Sequence, residues 1–164
     1  MQILDDKKIR QKIRRLAIEI MENNYEEPEI ILAGINKLGL AFARLLQTEL
    51  TTIGKQKITL TNIRINPADP LSSEVLLDLP IPYLQGKTII VVDDVANTGR
   101  TIFYACKPIL DTLPKKVEVA VMVDRTHKSF PVKVDYYGLS LATTLLENID
   151  VQMPDNQAFG VYLN

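Results

Sequence analysis

Ile9, Ile13, Leu16 and Ile20 recur at steps of four, three and four residues, one apolar stripe on a helix predicted over residues 5–24. Asp5 or Asp6 stands at its start, where a carboxylate caps free N–H groups and complements the helix dipole. Residues 29–34, Glu-Ile-Ile-Leu-Ala-Gly, form a short apolar run ending in Gly, the pattern of a buried strand that reaches a functional loop. Residues 34–39 are read as that loop and residues 40–50 as a second amphipathic helix. Its Leu40, Phe42, Ala43, Leu45 and Leu46 make an apolar surface wider than one stripe, so it must be buried on two sides. In a small domain, the second side is expected to be another subunit.

Residues 57–65 alternate as a strand does, and residues 66–86, with Pro67, Pro70, Pro80 and Pro82, read as a long irregular loop of the kind that forms lids. Residues 87–94 are too apolar to be solvated on either face. A helix over 99–112, bent near Pro108, then strands over 117–124 and 131–138 follow, and residues 158–164 read as an added edge strand. Strands alternating with helices predict an α/β fold with a mostly parallel central sheet.

Length and charge narrow the function. The 164 residues fit a single domain over 1–164. A net charge of -1 excludes a polycation, so nucleic-acid binding needs a local patch. One Cys and one His exclude a disulfide framework and a Cys/His zinc site. Apolar stretches run only about six residues, against the roughly 20 of a bilayer span. The N-terminus lacks a signal-peptide core. A soluble cytoplasmic protein without membrane contact is expected.

The candidate chemistry lies in Val-Val-Asp-Asp-Val-Ala-Asn-Thr-Gly-Arg-Thr, residues 91–101. A buried strand delivers Asp93 and Asp94 to the carboxyl edge of the sheet, where open parallel sheets bind ligands. Paired carboxylates there can accept from sugar hydroxyls or enter a magnesium shell. Residues 97–101 place backbone N–H groups and two hydroxyls at a helix start, a phosphate cradle, and Gly99 permits close approach. The glycine and lysine spacing is not that of a Walker loop.

This string resembles the 5-phosphoribosyl-1-pyrophosphate (PRPP) signature of type I phosphoribosyltransferases. Ile3–Asn24, Gly34–Gly39, Lys57–Thr61, the segment from Val123 through Lys128 to Gly138, and the closing Val161–Asn164 are similar in order and spacing to the bifunctional pyrimidine-operon attenuator and uracil phosphoribosyltransferases. The resemblance implies a three-layer α/β/α fold with a small hood and a mobile loop. It also implies transfer of phosphoribosyl from PRPP to a nucleobase, a pyrimidine such as uracil, with pyrophosphate released. Asp93 and Asp94 would hold the ribose hydroxyls, directly or through Mg²⁺, and Val95, Ala96, Asn97, Thr98, Gly99, Arg100 and Thr101 would wrap the 5-phosphate. Asn36, Lys37, Leu38 and Gly39 would grip pyrophosphate through backbone amides, with a non-proline cis peptide near Lys37–Leu38. Val134, Asp135, Tyr136, Tyr137 and Gly138 would flank the base. A homodimer or higher homo-oligomer is implied, and RNA contact through the basic face formed by Lys8, Lys12 and Arg15.

Two segments depart from the family pattern. Leu38 stands where catalytic members usually carry Arg, and Thr61–Pro70 replaces a Tyr-Arg-Asp-Asp cluster. Arg64 and Asp69 are the candidate catalytic stand-ins. The alternative is a weakly catalytic or non-catalytic regulator that senses nucleotides and binds RNA. Cys106 reads as a small buried apolar residue. His127 reads as a surface loop residue or as a contact for an anionic ligand or RNA.

Overall fold

The computed structural model describes residues 1–142 and 147–164. In chain order its elements are β1 (Gln2–Leu4), α1 (Asp6–Asn24), β2 (Glu29–Ile35), α2 (Asn36–Ile53), β3 (Lys57–Arg64), β4 (Leu76–Leu77), β5 (Thr88–Ala96), α3 (Arg100–Ala105), β6 (Lys116–Arg125), β7 (Tyr136–Leu141), β8 (Ile149–Gln152) and β9 (Gly160–Leu163). Two 3₁₀ turns, Ile81–Leu84 and Lys107–Asp111, complete it.

Six strands form one sheet in the order β4-β3-β2-β5-β6-β7, parallel except for β4. The central β2 is buried at every position, as expected of a strand with helices on both faces. α1 and α2 cover one face, packing Ile9, Leu16, Ile20, Phe42 and Leu46 over Ile30, Leu32, Ile90 and Val92. α3 and the two 3₁₀ turns cover the other face, over Ile31, Ala33, Ile89 and Val91. The three-layer α/β/α expectation holds. Among the described residues, no helix is long and apolar enough to cross a membrane.

Four details differ from the sequence reading. The second side of α2 packs on α1, which takes up Phe42, Ala43, Leu46 and part of Leu45, while Leu40 stays half-buried. The 131–138 strand begins only at Tyr136, because Asp135 takes the preceding rung. Its Oδ2 accepts from Val119 N at 2.8 Å while its N–H donates to Val119 O at 3.0 Å. The 66–86 stretch is not one loop: it contains β4 and a 3₁₀ turn, leaving a compact turn over 66–73 beyond the end of β3.

Finally, the tail is no edge strand of the main sheet. β9 is the middle strand of a second, antiparallel sheet in the order β1-β9-β8. Ile149, Val151, Met153, Phe159 and Val161 join the core on the α1/α2 side, with Val95 packed against it. Asp6 Oδ1 accepts from Phe159 N at 2.9 Å, and the Arg10 guanidinium lies 4.3 Å from the Phe159 ring centroid. Those contacts fasten this small sheet, the implied hood, to α1. The helix after residue 99 bends as expected, with α3 ending at Ala105 and a 3₁₀ turn carrying Pro108.

Candidate active site

β5 runs buried as far as Asp93, a residue only 9% exposed, and emerges at Asp94. Asp93 Oδ1 accepts from Asp94 N at 2.9 Å, so the buried carboxylate is turned back on its own strand. Burial, then the neighbouring Asp94 charge, hold the Asp93 carboxyl well above the ordinary carboxylate range. Residues 95–102 line a small cleft. Gly99 sits in the left-handed region at φ 88°, and a Cβ there would lie 3.2 Å from the Val132 side chain.

The chain after β6 straps this loop. Ser129 N and Phe130 N both donate to Thr98 O, at 2.9 and 3.2 Å. Arg125 Nη1 donates to Asn97 Oδ1 at 3.2 Å, and Arg100 Nη2 reaches Pro67 O at 2.8 Å in the 66–73 turn. The described backbone thus fixes Asn97, Thr98, Gly99 and Arg100 from both sides.

The expected pyrophosphate loop is not a loop. β2 runs to Ile35 and α2 starts at Asn36, with no residue between them. Among the described residues there is no cis peptide, so the one expected near Lys37–Leu38 is corrected to trans; the turn is made by Asn36 at φ 52°. Lys37 and Leu38 are exposed on the first turn of α2. A Cβ on Gly39 would lie 2.5 Å from Val92 O, so α2 crosses directly over β5 one residue before Asp93. That crossing brings the Asn36–Gly39 and Asp93–Thr101 segments to one edge of the sheet.

Arg64 and Asp69 are not brought together. Arg64 Nη2 pairs with Asp78 Oδ1 at 2.8 Å, while Asp69 closes its own turn by accepting from Leu71 N and Ser72 Oγ. The base-flanking segment is displaced as well. In register, Ala96 is level with Asp124 and Ser140, whereas Tyr136 is level with Ala120 and Val92. Val134 packs into the α3-side core, Asp135 binds Val119, and buried Tyr136 donates to Glu118 Oε2 at 2.9 Å. Burial above all pushes the Tyr136 phenol above its ordinary range. Tyr137 is exposed, and its carbonyl and that of Gly138 accept from Arg15 Nη2 at 2.9 and 3.2 Å. Val134–Tyr136 therefore serve the fold.

The residues level with the 96–101 loop are Asp124, Arg125, Ser140 and Leu141, which the sequence reading missed. Lys128 Nζ pairs with Asp124 Oδ1 at 2.7 Å. An available signal was that Val-Met-Val-Asp ends a buried strand in an acid, as Val-Val-Asp does. His127 is exposed beyond β6. Cys106 is half-buried rather than fully buried, and burial pushes its thiol up to about 11, which disfavours the thiolate. The basic face of α1 is partly spent: Arg10 pairs with Asp6, Arg15 with Glu19, and Lys12 is lowered by burial and the Arg15 and Lys8 charges.

Comparison with known proteins decides the family. The phosphoribosyl transferase domain model matches residues 1–156. The chain belongs to the phosphoribosyltransferase family. A Bifunctional protein PyrR of Bacillus pumilus is 35% identical over 172 residues, covering 98% of this chain and 96% of that protein. One from Macrococcus caseolyticus is 31% identical over 159 residues, covering 93% and 91%. A crystal structure of a hypoxanthine-guanine phosphoribosyltransferase from Bacillus anthracis superposes with a TM-score of 0.72 at 20% identity, covering 85% of this chain and 81% of that one. The hypoxanthine phosphoribosyltransferase of Trypanosoma cruzi gives 0.72 at 18% identity, covering 85% and 81%. These structures share the phosphoribosyltransferase fold.

Asp93 supplies a prediction for this phosphoribosyltransferase. Unfolded, its carboxyl ionises in the ordinary range; folded, it holds its proton to higher pH. Stability contributed by the protonated form is therefore lost as pH rises from the unfolded value through the raised folded one. Asp93→Asn is expected to melt higher than the native protein at about pH 8 and to show a smaller difference at about pH 4. Melting curves in which the native protein is the more stable at about pH 8 would contradict the buried-charge reading.

Proposed function

We propose that the chain transfers a phosphoribosyl group from PRPP to a nucleobase, a pyrimidine such as uracil, releasing pyrophosphate. One observation carries the reading: adjacent carboxylates at the end of β5 run directly into a strapped loop whose Gly99 is left-handed, beside the first turn of α2. Asp93 and Asp94 would accept from the ribose hydroxyls, and Ala96–Thr101 would enclose the 5-phosphate. The first turn of α2, which has no side-chain cap, offers N–H groups to pyrophosphate. Holding sugar and leaving group in fixed positions accounts for most of what such a site contributes. The resemblance supports the pyrimidine, and Asp124, Ser140 and Leu141 replace Val134–Gly138 as the proposed base-side residues.

Mg²⁺ fits the donor set. Among the described residues no group of three or more His, Cys, Asp and Glu could hold a metal alone. Two carboxylates suit an ion that keeps its waters and takes substrate oxygens. Charge neutralisation on the pyrophosphate oxygens is the chemistry that bound Mg²⁺ supplies. A screen of free bases with PRPP and Mg²⁺, followed by pyrophosphate release, tests turnover. Release with uracil and none with hypoxanthine is expected, and the reverse order would overturn the pyrimidine assignment.

A second reading has its own support. Arg64 is held by Asp78 and Asp69 by its own turn, so neither candidate catalytic residue faces a partner in the site. That arrangement favours a regulator that binds nucleotides with little turnover and contacts RNA through α1. RNA binding that falls steeply with salt, without pyrophosphate release, would establish it. A homodimer remains proposed from the resemblance; light scattering that reports one chain mass would refute it.

A further inference from the structure

The junction between β2 and α2 is held by two asparagine side chains. The β2–β3 ladder ends at the pair Ile35 and Ile63, where the chain leaves the sheet to start α2. The chain runs on through Arg64, the last residue of β3, to Ile65, which lies beyond the β2–β3 ladder. Asn36 supplies a rung there. Its Oδ1 accepts from Ile65 N and its Nδ2 donates to Ile65 O, both at 2.9 Å. A carboxamide carries the donor and acceptor of a peptide group, so this side chain acts as the next rung. The backbone of Asn36 accordingly sits at φ 52°, a conformation Asn tolerates better than most residues.

Asn62 closes the junction from the β3 side. Its Nδ2 donates to Gly34 O at 2.8 Å and to Asn36 O at 2.9 Å. With Asn36 O turned toward β3, the planar trans peptide turns Lys37 N–H the opposite way. That N–H belongs to the uncapped first turn of α2, two residues before Gly39 crosses β5.

We propose that Asn36 and Asn62 are positioning residues for pyrophosphate. They fix the Asn36–Lys37 peptide so that backbone N–H groups meet the leaving group. The inference rests on the phosphoribosyl-transfer reading and adds how its pyrophosphate end is built. It also accounts for uncharged Leu38 in that turn: the site draws its donors from the main chain, and the orientation comes from two neutral amides.

Asn36→Gly separates the clamp from the backbone turn, because Gly keeps the left-handed conformation and loses the carboxamide. Asn62→Ala removes the opposite side, and Asn36→Asp retains the acceptor for Ile65 N while losing the donor. Pyrophosphate and ribose 5-phosphate are titrated separately, with Mg²⁺, into the native protein and each variant. Hydrogen exchange at Ile65 N–H reports the clamp itself. The expected result is a loss of about tenfold in pyrophosphate affinity for Asn36→Gly and Asn62→Ala, from two hydrogen bonds each. Ribose 5-phosphate affinity changes less than about twofold, because the Asp93–Thr101 side is untouched. Asn36→Asp falls between, and Ile65 N–H loses protection in Asn36→Gly. Unchanged pyrophosphate affinity, or equal loss of both ligands, overturns the positioning role. Native protein that binds neither ligand while protecting Ile65 N–H overturns the phosphoribosyl reading, and with it any role for the clamp beyond structure.

Discussion

Replacing Asp93 and Asp94 together by Asn is expected to weaken PRPP binding about 100-fold, with the fold retained. Each ionised acceptor lost from a hydroxyl or cation contact costs about 1.5–3 kcal/mol, so two exceed the roughly 2.7 kcal/mol of a 100-fold change. The shares are unequal. Asp93 is buried and holds its proton to higher pH, so part of what it gives to ligand is offset by ionising it. Asp94 is half-exposed at the strand end, open to a ligand. Asp94→Asn alone should therefore show the larger single effect. Calorimetry with Mg²⁺ reads all three variants, and a double variant with native PRPP affinity would remove these residues from the site.

Gly39→Ala is expected to cost about 2–3 kcal/mol of stability, the upper range of overpacking. The added Cβ would stand 2.5 Å from Val92 O, which is backbone in the most central part of the sheet. Nothing flexible can yield, so α2 must lift from β5 and the Asn36–Gly39 and Asp93–Thr101 segments separate. Gly86→Ala is the contrasting case. Gly86 has φ 71° but open space around its Cβ position, so only the conformational cost of about 1–2 kcal/mol remains. Thermal melts order the two variants. A Gly86→Ala protein less stable than Gly39→Ala would show that the α2–β5 crossing is not tight.

The parts of this molecule legible in the sequence are those decided by local pattern. The stripe Ile9, Ile13, Leu16, Ile20 gave α1, and the two-sided apolar runs at 29–34 and 87–94 gave β2 and β5. The Asp93–Thr101 string placed its strand end and glycine turn correctly because every step is between neighbours in sequence. What failed depended on distant partners. β1, β8 and β9 pair Gln2 with Tyr162 and Ile149 with Leu163, and no local periodicity marks the three as one sheet. The start of β7 was set by Asp135 binding Val119, which leaves Tyr136 level with Ala120 and Val92 rather than with Ala96. The breadth of α2 was real, and α1 takes up most of it, leaving Leu40 half-buried. Gly34–Gly39 looked like a loop because both ends are Gly. Both are instead close-approach positions, with Cβ sites 2.5 Å from Leu40 Cα and from Val92 O.

The central claim is that the carboxyl edge between β2 and β5 binds PRPP. Calorimetric titration of PRPP into the native protein, with Mg²⁺ and again with excess chelator, tests it most directly. Saturable binding of one PRPP per chain with Mg²⁺ and a large loss of affinity under chelation are expected. Absence of saturable binding with Mg²⁺ present would contradict it.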